Sequence, residues 1–253
     1  MNNKLLLEGK GVTKRFGGLT AVSGLDFFVR QGEILGLIGP NGAGKTTLIN
    51  CITGMNPPEA GTVFFEGRPI EKLKPHVIAR LGVARTFQIV QPFPSLTARD
   101  NVVMGALFGS GMPQKNIGRA RGIADEKLEF VGLSAQAGRL ASQLTLAERK
   151  RLEFAKSLAA EPKILLLDEV NAGLNSAEIK MAIDLIRKVR EQGVTILVIE
   201  HLMKVIMDLS DRVLVLHHGE KIAEGAPRTI AADEQVIKAY LGEKYAALAE
   251  NLK

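Results

Sequence analysis

The chain has 253 residues, is 46% apolar and carries a formal net charge of +6, a length that supports one large or two modest cores and a composition that excludes disorder. Its longest apolar runs, such as Ile164–Leu167 and Val194–Ile199, are strand-sized and end in charges, far short of the ~18 residues a membrane helix requires, so any membrane role is expected to be peripheral. Cys51 is the only cysteine, which excludes an internal disulfide and a cysteine-rich metal site.

No secretory leader pattern follows Met1, so the chain is expected to stay in the cytosol. Its positive charge is spread out. The tightest cluster, Arg149-Lys150-Arg151, falls on an expected helix and reads as a solvated face. No aromatic platform or zinc-finger spacing accompanies it, so nucleic acid is not expected as a partner.

In chain order, the first thirty residues alternate apolar and polar positions. Gly17-Gly18 separates Val12–Phe16 from Leu25–Val29, which predicts short antiparallel strands. The apolar strand Ile34–Ile38 then runs into Gly39-Pro40-Asn41-Gly42-Ala43-Gly44-Lys45-Thr46, and a helix follows through Leu48, Ile49 and Ile52. This is a complete P-loop between strand and helix. Glycines turn backbone N–H groups inward around an anion, the helix N-terminus adds partial positive charge, and Lys45 supplies a cation for the outer phosphates. Gly39 to Thr47 are therefore the expected nucleotide contacts, and the Thr46 hydroxyl is an expected Mg²⁺ ligand. Cys51 reads as a space-filler on the following helix.

Strand Thr62–Phe65, a turn at Gly67-Arg68-Pro69 and the segment Gly82–Gln88 read as a β-rich arm. From Thr97 to Leu158 the pattern turns helical, with helix starts expected at Thr97, Ser134 and Thr145. Strand Ile164–Leu167, helix Ala177–Gln192 and strand Val194–Ile199 then form a βαβ rhythm, the mark of a parallel sheet. Val213–Leu216 and Lys221–Ala223 read as a hairpin, and Asp233–Leu248 as a C-terminal helix. The expectation is a single α/β domain with a P-loop core. Residues 1–88 hold an antiparallel β part and the P-loop portion of the core, 89–160 a helical insertion, and 161–253 the rest of the core.

Asp168 and Glu169 stand at the carboxyl end of the buried strand Ile164–Leu167, where ligands sit in open α/β sheets. Phosphate chemistry calls for a carboxylate on Mg²⁺ and a second group to orient water. Asp168 is assigned the metal and Glu169 the general base. His201 follows Val194–Ile199 and Glu200 at the end of a neighbouring strand, a position that would let it touch the γ-phosphate or orient the attacking water, although a lone histidine is usually structural. His76, His217 and His218 have no such context.

Together these residues resemble the ATPase subunit of ATP-binding cassette transporters over nearly the whole chain. The resemblance implies that Phe16 stacks on adenine, that Gln88 senses Mg²⁺ and the permease, that Asp168 and Glu169 form the second nucleotide motif, and that His201 is the switch histidine. Thr145 and Ala147 then belong to the segment that meets the ATP of a second subunit. Within the family, Arg85-Thr86-Phe87-Gln88, Ala172-Gly173-Leu174-Asn175, Ile199-Glu200-His201 and Val236–Glu243 are similar to ATPases of branched-chain amino-acid importers. The resemblance implies a peripheral ATPase on the cytoplasmic membrane face that dimerises with an identical or related subunit. It would use ATP and Mg²⁺, drive a separate permease, and act indirectly with an external solute-binding protein.

The sequence departs from the family at one diagnostic place: Leu144-Thr145-Leu146-Ala147-Glu148 stands where relatives carry Leu-Ser-Gly-Gly-Gln. Thr145 keeps a hydroxyl, and Thr145-x-x-Glu148 is a capping box that starts a helix. The Glu148 charge is expected to be offset by Arg149 or Arg151. Val170 replaces a proline, and Asn175 an aspartate. The alternatives are a weakly active or non-hydrolysing partner subunit, the ATPase of a lipid or lipopolysaccharide exporter, and a soluble ATPase acting on nucleic acid or ribosomes.

Overall fold

Strands β1 (Leu5–Phe16) and β2 (Leu19–Arg30) pair antiparallel from Leu5 against Arg30 to Phe16 against Leu19. Their buried positions, including Leu7, Val12, Leu25, Phe27 and Val29, show the half-buried alternation expected of a sheet with one wet face. This computed structural model describes residues 4–86, 92–109, 116–169, 171–200 and 202–241. Packing groups them into two units, Met1–Lys74 with Thr195–Lys253, and Pro75–Val194.

In the first unit, β4 (Ala60–Phe65) adds to β1, and β5 (Arg68–Pro69) pairs with β4 in the order β2-β1-β4-β5. Arg68 and Pro69 are thus a short edge strand rather than part of the turn, a position where proline's missing N–H costs no ladder bond. Beside this sheet, β3 (Ile34–Ile38) lies parallel to β8 (Thr195–Ile199) on one side and to β9 (Arg212–His217) on the other. All five residues of β3 are buried, the signature of a parallel strand covered on both faces. Strand β10 (Glu220–Gly225) completes the expected hairpin with β9. Arg212 joins the layers: its guanidinium donates to Glu33 and to the Phe28 carbonyl, and lies 4.1 Å from the Phe28 ring centroid.

Among the described residues, this unit holds helices α1 (Lys45–Ile52), α7 (Met203–Leu209), α8 (Pro227–Ala231) and α9 (Glu234–Leu241). Cys51 is fully buried on α1. The expected C-terminal helix is present as α9 within the described residues.

The second unit holds the parallel pair β6 (Val83–Arg85) and β7 (Ile164–Asp168), with Val83 beside Ile164 and Arg85 beside Leu166. The segment beginning at Gly82, expected in a β-rich arm, therefore contributes its strand to a parallel ladder. Helices α3 (Ala98–Phe108), α4 (Ile117–Phe130) and α5 (Leu146–Ala159) pack on one another, and α6 (Ser176–Glu191) follows β7. Thr97 caps α3 by accepting the Asp100 N–H, and Thr145 caps α5. Ser134 opens only a three-residue 3-10 turn. The missed helix start is Asn116, which accepts the Arg119 N–H, and a short helix, α2 (Pro75–Leu81), was also unforeseen. Among the described residues, no helix is long and apolar enough to cross a membrane.

Candidate nucleotide site

The first unit carries the P-loop where β3 ends. Two glycines there are sterically required. Gly39 has φ 153°, and a Cβ on it meets the Leu216 carbonyl oxygen at 2.1 Å; Gly44 has φ 101°, and its Cβ meets the Ala21 oxygen at 2.3 Å. Side chains at either position push the loop off its neighbouring strands. Gly44 is also the N-cap of α1, so no side chain caps that helix and its first turn has no acidic residue. An anion is the natural partner of such an end.

Lys45 is 6% exposed, and its ammonium donates to the carbonyls of Gly39 at 2.7 Å and Pro40 at 2.9 Å. The cation is thereby folded back over the loop that it is expected to serve. Thr46 is exposed, Thr47 half-buried, Asn41 and Gly42 exposed and Ala43 buried. Phe16, the last residue of β1, is 47% exposed with the Lys14 ammonium 5.4 Å from its ring centroid, which leaves ring surface open for stacking. From the other end of the chain, the Tyr240 hydroxyl on α9 accepts the Gly39 N–H at 2.7 Å. Burial pushes this hydroxyl above its ordinary pKa, and the Gly39 N–H opposes that shift.

The second unit carries the carboxylates. Asp168 ends β7 and is 1% exposed; Arg85, from the adjacent β6, donates to its Oδ2 at 2.8 Å. Glu169 follows with φ 52° and is half-buried. A left-handed conformation is uncommon outside glycine and costs energy, and functional sites concentrate such strain. Thr145 is exposed at the start of α5 and Ala147 half-buried in its first turn.

The capping box of α5 is complete. Thr145 Oγ1 accepts the Glu148 N–H, and the Thr145 N–H donates to Glu148 Oε2 at 2.8 Å. Glu148 is therefore offset first by the Thr145 N–H, then by Arg139, its ion-pair partner at 3.9 Å, and by Arg151; of the two arginines expected in this role, Arg151 contributes and Arg149 does not figure. The Arg149-Lys150-Arg151 run is not a solvated face either. All three are half-buried; Lys150 donates to the Ala172 carbonyl, and Arg151 to those of Val131 and Gly132. Lys150, together with Leu146 packed over Gly173, fastens the first turns of α5 to the loop before α6. Asn175 caps α6 in a second capping box with Glu178.

Gln88 and His201 lie outside the described residues, as does Val170. Sequence reasoning missed two contacts. Arg85 had a signal, because an arginine in a buried strand demands a carboxylate. Tyr240 had none, since its contact spans 201 residues.

The ABC transporter family profile matches residues 22–172, and one for branched-chain amino acid ATP-binding cassette transporters matches residues 220–246. The chain is 42% identical over 250 residues to the high-affinity branched-chain amino acid transport ATP-binding protein BraF of Pseudomonas aeruginosa, covering 94% of this chain and 98% of that protein. It is 41% identical, with the same coverage, to the high-affinity branched-chain amino acid transport ATP-binding protein LivG of Escherichia coli. Among solved structures it is similar to the ADP conformation of an ATP-binding cassette of an ABC transporter, with a TM-score of 0.84, 30% identity and coverage of 94% and 99%. A dimeric, post-hydrolysis cassette bound to ADP and Pi gives a TM-score of 0.80 at 26% identity, with coverage of 88% and 99%.

Proposed function

Since this chain belongs to the ABC transporter family of ATP-binding cassettes and is an ATP hydrolase, we propose that it powers import of branched-chain amino acids through a separate membrane permease. The observation that carries the nucleotide reading is the P-loop, with its uncapped helix start and two glycines that admit no side chain. The cargo follows from the relatives' transport of branched-chain amino acids and from the family match over residues 220–246.

In this reading, N–H groups of residues 41–47 and the Lys45 ammonium bind the phosphates, and Phe16 stacks on adenine. Glu169 accepts the proton of the attacking water, a contribution of about 10²–10⁴-fold, and His201 orients that water. Thr145, held at the N-terminus of α5, faces the γ-phosphate bound by a second subunit. Its intact capping box supports a working segment despite the missing glycines.

The donor set fits Mg²⁺. Thr46 offers an exposed hydroxyl beside the phosphate cradle, and Asp168 a carboxylate. A small hard cation binds hydroxyl and carboxylate oxygens and takes its remaining oxygens from water and phosphate. When bound, Mg²⁺ neutralises charge on the outer phosphates, with Thr46, Asp168 and Gln88 as its protein-side neighbours.

The subunit acts as a dimer with an identical or related chain, peripherally at the cytoplasmic membrane face, and an external solute-binding protein delivers cargo to the permease. The test is leucine, isoleucine and valine uptake by cells lacking the gene. The wild-type chain should restore uptake and Lys45→Ala should not; restoration by Lys45→Ala, or unchanged uptake in the deletion, contradicts the proposal.

A further inference from the structure

Gly39 is held from both sides of its own residue. Its N–H donates to Tyr240 Oη at 2.7 Å, and its carbonyl accepts from Lys45 Nζ at 2.7 Å. Tyr240 lies on α9, whose start is fixed by Asp233 accepting the N–H groups of Gln235 and Val236, with Val236 buried beneath it. The contact is therefore made by an anchored helix. On its other side, Gly39 packs against the Leu216 carbonyl of β9 with no room for a Cβ. Strand and helix together set the first turn of the P-loop, and through the Gly39 carbonyl they set where the Lys45 ammonium rests.

We propose that Tyr240 is a positioning residue for nucleotide: its hydroxyl fixes Gly39, and hence the loop and Lys45, in the arrangement that receives the phosphates. It makes ATP affinity depend on the C-terminal helix, within the segment that matches the branched-chain transporter profile. The physical route is population. Without the hydroxyl the Gly39 N–H loses its acceptor, the loop entrance samples other conformations, and apparent affinity falls by the fraction of molecules still competent to bind. The proposal rests on the assignment of residues 39–47 as the phosphate cradle.

The experiment is titration of full-length protein with a fluorescent ATP analogue in the presence of Mg²⁺, for wild type, Tyr240→Phe, Tyr240→Leu and Lys45→Ala, beside steady-state ATPase kinetics. Tyr240→Phe keeps the ring and removes only the acceptor. It should weaken binding about 3- to 10-fold, the range of one neutral hydrogen bond, and raise KM by the same factor with a smaller change in kcat. Tyr240→Leu should add little further loss of affinity. Tyr240→Phe with wild-type affinity, or with lowered thermal stability alone, overturns the proposal as long as Lys45→Ala binds poorly. Full affinity in Lys45→Ala overturns the cradle assignment itself.

An independent reading uses fluorotyrosine labelling. The chain has two tyrosines, Tyr240 and Tyr245, so Tyr245→Phe leaves one ¹⁹F resonance. That resonance should shift on adding Mg-ATP, and an unmoved resonance contradicts the proposal.

Discussion

Arg85 and Asp168 meet at 2.8 Å across the parallel pair β6 and β7, with side chains only 9% and 1% exposed. A carboxylate at the end of a buried strand is thereby held by a cation from the strand beside it. Removing one partner of such a buried pair is far costlier than the pair is worth, because it leaves the other charge in a poor medium. Arg85→Ala is expected to lower unfolding stability by about 3–5 kcal/mol, read as a drop in the urea midpoint. Arg85→Lys keeps the charge but not the planar fork, so it should fall between that variant and wild type.

Gly44 is one of two glycines of the phosphate loop with no room for a side chain. A left-handed backbone costs an L-residue about 1–2 kcal/mol, and the Cβ of Gly44→Ala also lands 2.3 Å from the Ala21 oxygen. Gly44→Ala should therefore lose at least about tenfold in nucleotide affinity, a factor that corresponds to about 1.4 kcal/mol. Equilibrium titration with a fluorescent ATP analogue measures it, and unchanged affinity contradicts the role given to this turn.

The capping box of α5 gives a pH signature. Glu148 is held below the ordinary glutamate range, first by the Thr145 N–H and then by the nearby Arg139 and Arg151 charges. A carboxylate with a lowered folded pKa contributes stability that is fully present above its unfolded pKa of about 4.3 and is lost as pH falls through the folded value. Glu148→Gln retains a side chain able to accept the Thr145 N–H but cannot titrate. Its urea midpoint should decline less than wild type between about pH 5 and pH 3, and parallel declines contradict this assignment. Thr145→Ala should cost about 1 kcal/mol at neutral pH.

Cys51 is fully buried on α1, and burial pushes its thiol up to about 11. Thiolate is the reactive form. Native protein should react with iodoacetamide at least about tenfold more slowly than the urea-unfolded chain, measured by mass spectrometry. Equal rates contradict the buried placement.

The signals that were legible in sequence are local ones. Apolar runs marked β3, β7 and β8 because strands buried on both faces admit little else, and Thr145-x-x-Glu148 marked its helix because capping is chemistry between neighbours. The P-loop was legible because its glycines answer to close backbone contacts. Helix α2 buries only Ile78, so it left no apolar stripe. Helix α4 buries Ala120, Ala124 and Leu128, a stripe of mostly small residues that reads weakly. The pairing of β6 with β7 and the Tyr240 contact with Gly39 join distant segments, and no local pattern encodes such partners; Arg85 signalled the need for a carboxylate but not which one. The left-handed backbone of Glu169 was hidden for a related reason, since tertiary packing imposes it against residue preference.

In the proposed reaction this chain hydrolyses ATP with Glu169 as base, in a dimer that Thr145 completes. The most direct measurement is Mg-ATP turnover by purified wild type and Glu169→Gln across protein concentration, with the oligomeric state of each followed by light scattering. Wild-type turnover should rise with concentration, while Glu169→Gln should lose at least about 10²-fold in rate and accumulate as an ATP-dependent dimer. Wild-type turnover from Glu169→Gln would contradict the role of Glu169, and ATP bound without a dimer in either protein would contradict assembly of two identical chains.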